Sequence, residues 1–251
     1  MKQSTRFNCL SLNFSHYVDN YSTYWILTHM ILYVSMLTIN QHTGKLMEKG
    51  EILNLIPTPE FDYTFLSFAL KDYRYPRNKI GDLIRSKKII RVKKGIYVKA
   101  GSQYSKFVLA NMIFGPSYIS EDSALSYYGL IPEQVYTVTS MTCNRKKYYE
   151  TPIGVFSYNV LPIEVYSTGF QRISLDSKRA FLIATPEKAL VDRLWRVKGL
   201  DNLSATKDYL FMNMRFSENT ELPLSVKQFR ELFKISKHKF ITHLIEIFSK
   251  A

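Results

Sequence analysis

Between residues 71 and 99 the sequence places eleven basic side chains against two acidic ones, Asp72 and Asp82. This is a local excess of +9 in a chain whose formal net charge is +13. Cations packed this densely suit one kind of chemistry: they neutralise phosphates and release the counterions condensed on a nucleic acid. The polar side chains expected to make such contacts are Arg77, Asn78, Lys79, Arg85, Lys87, Lys88, Arg91, Lys93 and Lys94. A solvated basic face without a ligand is the plain alternative. A second basic and aromatic cluster, Arg145-Lys146-Lys147-Tyr148-Tyr149, falls between two predicted strands. It suits DNA flanking the main site, or an acidic partner. A solvated hairpin tip explains it equally well.

Catalytic chemistry leaves no comparable trace. The histidines (His16, His29, His42, His238, His243) are scattered, and no two stand four apart as zinc ligands on a helix would. There is no glycine-rich phosphate loop and no Gly-x-Ser-x-Gly turn. Paired carboxylates for metal-assisted phosphoryl chemistry would be expected on adjacent strands. The nearest candidates, Asp176 near Lys178 and Glu187 near Asp192, read as turn and helix-surface residues, Glu187 being an acid at a helix N-terminus. No catalytic residue, metal ligand or cofactor is therefore expected. Cys9 and Cys143 make no metal or redox spacing, which fits a reducing compartment.

The elements that must hold these side chains lie in residues 75–99, which read as a short helix followed by a tight ribbon. Pro76 suits a first helical turn, where its missing N–H would be unpaired anyway. Ile80, Leu83 and Ile84 then form one apolar stripe, leaving Arg77, Asn78, Lys79, Arg85 and Lys87 on the other faces. After Lys88 the period changes to two, and Lys93-Lys94-Gly95 is a plausible hairpin tip. Helix plus basic hairpin is the outline of a winged helix-turn-helix. Thr58-Pro59-Glu60 reads as the start of a preceding helix whose buried face holds Phe61, Phe65, Phe68 and Ala69.

Beyond Gly101-Ser102, which reads as a linker, a helix ends at Gly115-Pro116. Ser120 is a natural N-cap for the next, with Glu121 and Asp122 in its first turn. Three alternating runs (135–142, 147–151 and 154–160) read as an antiparallel meander, and 170–175 and 180–184 as two more strands turned by Asp176-Ser177-Lys178. Thr185-Pro186-Glu187 starts a helix in which Lys188 with Asp192, and Asp192 with Arg196, are i,i+4 pairs. Three helical runs finish the chain, the second opened by Ser225 and Gln228. The expected fold class is α+β: an N-terminal winged helix-turn-helix, then a mixed α/β domain with a small antiparallel sheet and C-terminal helices.

Residues 20–44 carry no charge and could just span a bilayer, although Ser, Thr and His dilute them. A dispensable upstream extension, an anchor and packed structure all stay open for 1–46. The expected organisation is that uncertain segment, a DNA-binding domain over 47–100 and a second domain over 101–251.

Four motifs together resemble the AbiEi-type antitoxins of abortive-infection systems. They are Pro76-Arg77-Asn78-Lys79-Ile80, Arg91-Val92-Lys93-Lys94-Gly95-Ile96-Tyr97-Val98, the run from Tyr118-Ile119-Ser120 through Ser123 to Pro132, and the run from Ala184-Thr185-Pro186 to Asp192. The resemblance implies a cytoplasmic bacterial type IV toxin–antitoxin component, not itself an enzyme. It implies a winged helix that represses its own operon at inverted repeats in double-stranded DNA, and a C-terminal domain that counteracts a cognate nucleotidyltransferase-like toxin. It assigns Arg77, Asn78 and Lys79 to groove or phosphate contact and Arg91, Lys93 and Lys94 to the wing. The alternative from another class is a metal-dependent nuclease that uses the basic patch to deliver substrate, and a membrane-anchored regulator is a third.

Overall fold

The computed structural model describes residues 52–133, 135–216 and 224–249. The uncharged stretch at 20–44 and the whole of 1–46 lie outside them. Among the described residues the fold is α+β, with two sheets and nine α-helices, and no helix is long and apolar enough to cross a membrane.

The first unit comprises β1 (Glu60–Asp62), α1 (Tyr63–Ala69), α2 (Pro76–Arg85), β2 (Ile89–Lys93) and β3 (Ile96–Lys99). The strands form an antiparallel sheet in the order β1-β3-β2. The helix expected to open at Thr58-Pro59-Glu60 starts instead at Tyr63, and Glu60 lies in β1. Thr58 spends its hydroxyl on the Glu60 carbonyl (2.7 Å), and the cap falls to Asp62, whose carboxylate accepts from the Phe65 N–H at 3.0 Å. Phe61 therefore points from a strand, stacked on its cross-strand neighbour Tyr97 at 6.0 Å. Leu66 from α1 and Leu70 at its C-terminal cap, Ile80 and Leu83 from α2, and Ile89 pack in a small core with Phe61 and Tyr97.

The larger unit holds α3 (Lys106–Ile113), β4 (Ser117–Ile119), α4 (Glu121–Tyr127), β5 (Thr137–Thr142), β6 (Lys147–Thr151), β7 (Gly154–Val160), α5 (Ile163–Tyr166), β8 (Phe170–Ser174), β9 (Ala180–Ala184) and α6 (Pro186–Leu194). It continues with α7 (Leu203–Asp208), α8 (Val226–Ser236) and α9 (Phe240–Ser249). Its sheet has six strands in the order β6-β7-β5-β4-β9-β8. The expected small antiparallel meander is thus corrected to a mixed sheet, because β5–β7 and β4–β9 pair in parallel. The physical reason lies in burial. β6 alternates as an edge strand should, whereas β5 and β7 carry side chains buried on both faces and occupy the interior. β4 is buried at all three positions and too short to show any period.

The small sheet joins the two units. Ile89 and Tyr97 face the small core, while Val92, Ile96 and Val98 belong to the large one. Glu60 is buried at this seam, where its carboxylate accepts from the Ser105 N–H and lies 3.5 Å from the Arg179 guanidinium. Gly101, expected as linker, lies in a turn at φ +73°. A sheet covered on both sides gives a unit this small the apolar burial it could not reach alone.

Candidate nucleic-acid interface

The α2 helix and the β2–β3 hairpin enclose an open groove of about 810 Å³. Ile80 and Leu83 turn inward to the small core, Asn78 and Arg85 stand exposed on the opposite side of α2, and Arg77 is exposed on the flank between them, one turn before Ile80. The helix wall of the groove is Arg77, Ile80, Gly81 and Ile84, and the hairpin wall is Arg91, Lys94, Gly95 and Tyr97. Gly95 holds φ +88°, which the tight tip needs and a residue with a Cβ seldom adopts. Two walls bearing Arg77 on one side and Arg91 with Lys94 on the other make a cationic trough with an apolar floor.

The remaining expected residues divide. Lys87 and Lys88 are exposed at the foot of the hairpin. The Lys79 ammonium lies over the Tyr73 ring at 5.7 Å. Arg85 pairs with Asp82 at 2.5 Å, both well exposed, a contact of small energetic consequence that leaves the guanidinium available. Lys93 behaves differently. Arg91 opposes Tyr97 but Lys93 opposes Ile96, a bulge that gives β2 one extra residue. The bulge re-aims Lys93 away from the groove. Its ammonium donates to the Ile113 carbonyl at 2.8 Å and rests over the Tyr149 ring at 4.5 Å.

The second basic cluster lies in the β5–β6 connection and the start of β6. Arg145 and Lys146 are exposed and Lys147 half-buried, next to Tyr148, which is 58% exposed. Among the described residues no group of three or more His, Cys, Asp or Glu side chains is placed to hold a metal ion.

No protein-family model matches this chain. No curated protein matches it either.

Away from the groove the fold holds a buried polar network that reading the sequence did not anticipate. Lys188 and Asp192 do pair, but at zero exposure rather than on a helix surface. The Asp192 carboxylate also accepts from Tyr118 Oη at 3.0 Å and Ser120 Oγ at 2.7 Å. Ser120 thus precedes α4 without capping it through its side chain. Burial pushes the Asp192 carboxyl up and the Lys188 ammonium down, while their mutual attraction opposes both shifts. Three donors converging on one carboxylate favour the ionised pair. Arg196, expected to pair with Asp192, instead donates to Glu121 at 2.8 Å and Asn159 at 2.7 Å, and Asn159 donates to Glu121 at 2.9 Å. Glu121 holds φ +51° and is buried. Burial foremost, with Asp192 and Asp122 adding to it and Arg196 opposing, raises its carboxyl to about 7. Glu187 is buried as well, and its carboxylate receives the Ser225 N–H at 2.6 Å at the start of α8.

Such perturbed groups often mark active sites. Here Asp192 and Lys188 are fully enclosed, and the groups tie β4, α4, β7 and α6 together, so the arrangement acts on the fold. The stem of Lys188 is held by Gly169, where an added Cβ would lie 3.0 Å from three Lys188 carbons at φ +77°. Gly169→Ala is expected to destabilise the chain by about 1–3 kcal/mol through overpacking and backbone strain. Urea unfolding reads this, and an unchanged midpoint contradicts the tight fit.

Proposed function

We propose that this chain binds double-stranded DNA through α2 and the β2–β3 hairpin, acting as a winged helix-turn-helix in which α2 is the recognition helix. The cationic trough carries the reading: Arg77 on the helix faces Arg91 and Lys94 on the hairpin across an open groove. The order β1-β3-β2, with both helices between β1 and β2, supports the same outline. With the four-motif resemblance, we read the chain as an AbiEi-type antitoxin of the cytoplasm. In this reading residues 47–100 address the protein to inverted repeats in its own promoter. Residues 101–251 counteract a nucleotidyltransferase-like toxin without catalysis.

The test measures binding of the full chain to a labelled duplex from its own upstream region over a range of salt. Arg77→Ala is expected to cost about 1–3 kcal/mol and to relax discrimination at one base position. Arg91→Ala with Lys94→Ala is expected to weaken all duplexes alike and to lower the salt slope by about 2. Wild-type binding that is absent, or unaltered by both changes, overturns the reading.

A further inference from the structure

We infer that the DNA-contacting surface does not end at the hairpin but continues onto the larger unit, through Arg145, Lys146 and Lys147. This rests on the reading of α2 and the hairpin as a DNA site, and it assigns a second, flanking backbone contact to a part of the chain that otherwise has no role in binding.

Two contacts bear on where the loop lies relative to the hairpin tip. The first is Lys93, turned by the bulge onto the Ile113 carbonyl (2.8 Å) and the face of Tyr149 (4.5 Å). The second is Asn144, whose side-chain amide donates to the Gly115 carbonyl at 3.4 Å, two residues beyond Ile113. The basic run begins at the residue after Asn144 and ends two residues before Tyr149, so its far end meets the hairpin through Tyr149 and its near end is tied to Gly115, two residues beyond the carbonyl that Lys93 also meets. Tyr149 is itself braced by Phe114 at 6.4 Å and Tyr158 at 5.9 Å.

This explains why Lys93 is withdrawn from the groove. Its charge is used to fasten the hairpin to Tyr149 on the edge strand β6, and Lys94, Arg145 and Lys146 are all exposed. The one acid within β6, Glu150, lies two residues past Tyr148 on the same exposed face of the strand. Tyr148 adds an exposed aromatic ring that can lie against a sugar or a base. Charge of one sign continued across two units in fixed register suits a polyanion with regularly repeating phosphates. A protein partner would match so uniform a strip less well.

The test uses the full chain and the labelled upstream duplex, with Arg145→Ala/Lys146→Ala/Lys147→Ala compared against wild type. Arg172→Ala, on β8 at the opposite edge of the six-stranded sheet, is the control. The triple change is expected to lower the salt slope by about 2 to 3 and the affinity at 0.1 M salt by at least about a hundredfold, roughly tenfold per unit of slope. Hydroxyl-radical footprinting should lose protection on one flank while the protection lost on Arg77→Ala stays intact. Arg172→Ala should change nothing. If wild type binds and the triple variant keeps its slope and footprint, the extension is overturned and the groove reading stands, leaving the cluster to a protein partner or to solvent. If wild type shows no binding, both fall.

Discussion

Asp192→Ala is expected to remove about 3–5 kcal/mol of folding stability, a large share of what a chain of this size possesses. The carboxylate is wholly enclosed and gathers three donors: the Lys188 ammonium, Tyr118 Oη and Ser120 Oγ. Deleting it strands Lys188 at zero exposure, with the Tyr118 ring at 5.4 Å as its remaining electrostatic partner of note. It also leaves two hydroxyls without their acceptor, each costing about 1–3 kcal/mol when buried. Removing both charges together is a different experiment. Lys188→Met with Asp192→Leu takes away the desolvation cost along with the attraction, so the double variant is expected to be markedly more stable than Asp192→Ala. Urea unfolding of the three proteins decides it. A loss under about 1 kcal/mol for Asp192→Ala, or a double variant no better than the single, contradicts the pair's role. Folded Asp192→Ala should still bind the upstream duplex, since the network contributes no side chain to the groove.

How much of this was legible beforehand depends on the length over which a signal repeats. The α2 helix announced itself through Pro76 and the Ile80, Leu83, Ile84 stripe, and the hairpin through the change of period at Lys88 with Gly95 at its tip. α6 followed from Thr185, which caps it, and Pro186. What stayed hidden were features set by partners distant in sequence. Thr58-Pro59-Glu60 has the local chemistry of a helix start, yet pairing with Val98 across the small sheet draws Glu60 into a strand. β4 shows only three residues, all buried. Lys93 cannot be told from Lys94 in the sequence, since a bulge and the carbonyl of Ile113, twenty positions away, decide which one faces the groove. Lys188 and Asp192 were visible as an i,i+4 pair, but that spacing fits a surface helix as well as a buried one. The clue to burial was composition, since Ala189, Leu190 and Val191 fill the interval between them.

Stability is expected to fall as pH rises from about 4.5 to about 7, and Glu121 is the residue responsible. Burial raises its carboxyl from 4.5 to about 7, with Asp192 and Asp122 adding to the rise while Arg196 and the Asn159 amide oppose it. Within that window the native chain keeps a proton that the unfolded chain releases. The unfolded state therefore gains on the native one as pH climbs, and the effect levels off once both forms are ionised. A rise of this size corresponds to about 3 kcal/mol. Other carboxylates titrate in the same range and mask the slope in wild type alone, so the informative quantity is a difference. Glu121→Gln cannot ionise and abolishes this contribution. Its stability relative to wild type should rise by about 3 kcal/mol between pH 4.5 and pH 7.5. The φ of +51° at this position is common to both proteins and cancels. Urea unfolding at the two pH values measures it. A wild-type-minus-variant difference constant within about 0.5 kcal/mol would show that Glu121 is ionised throughout, with Arg196 outweighing burial.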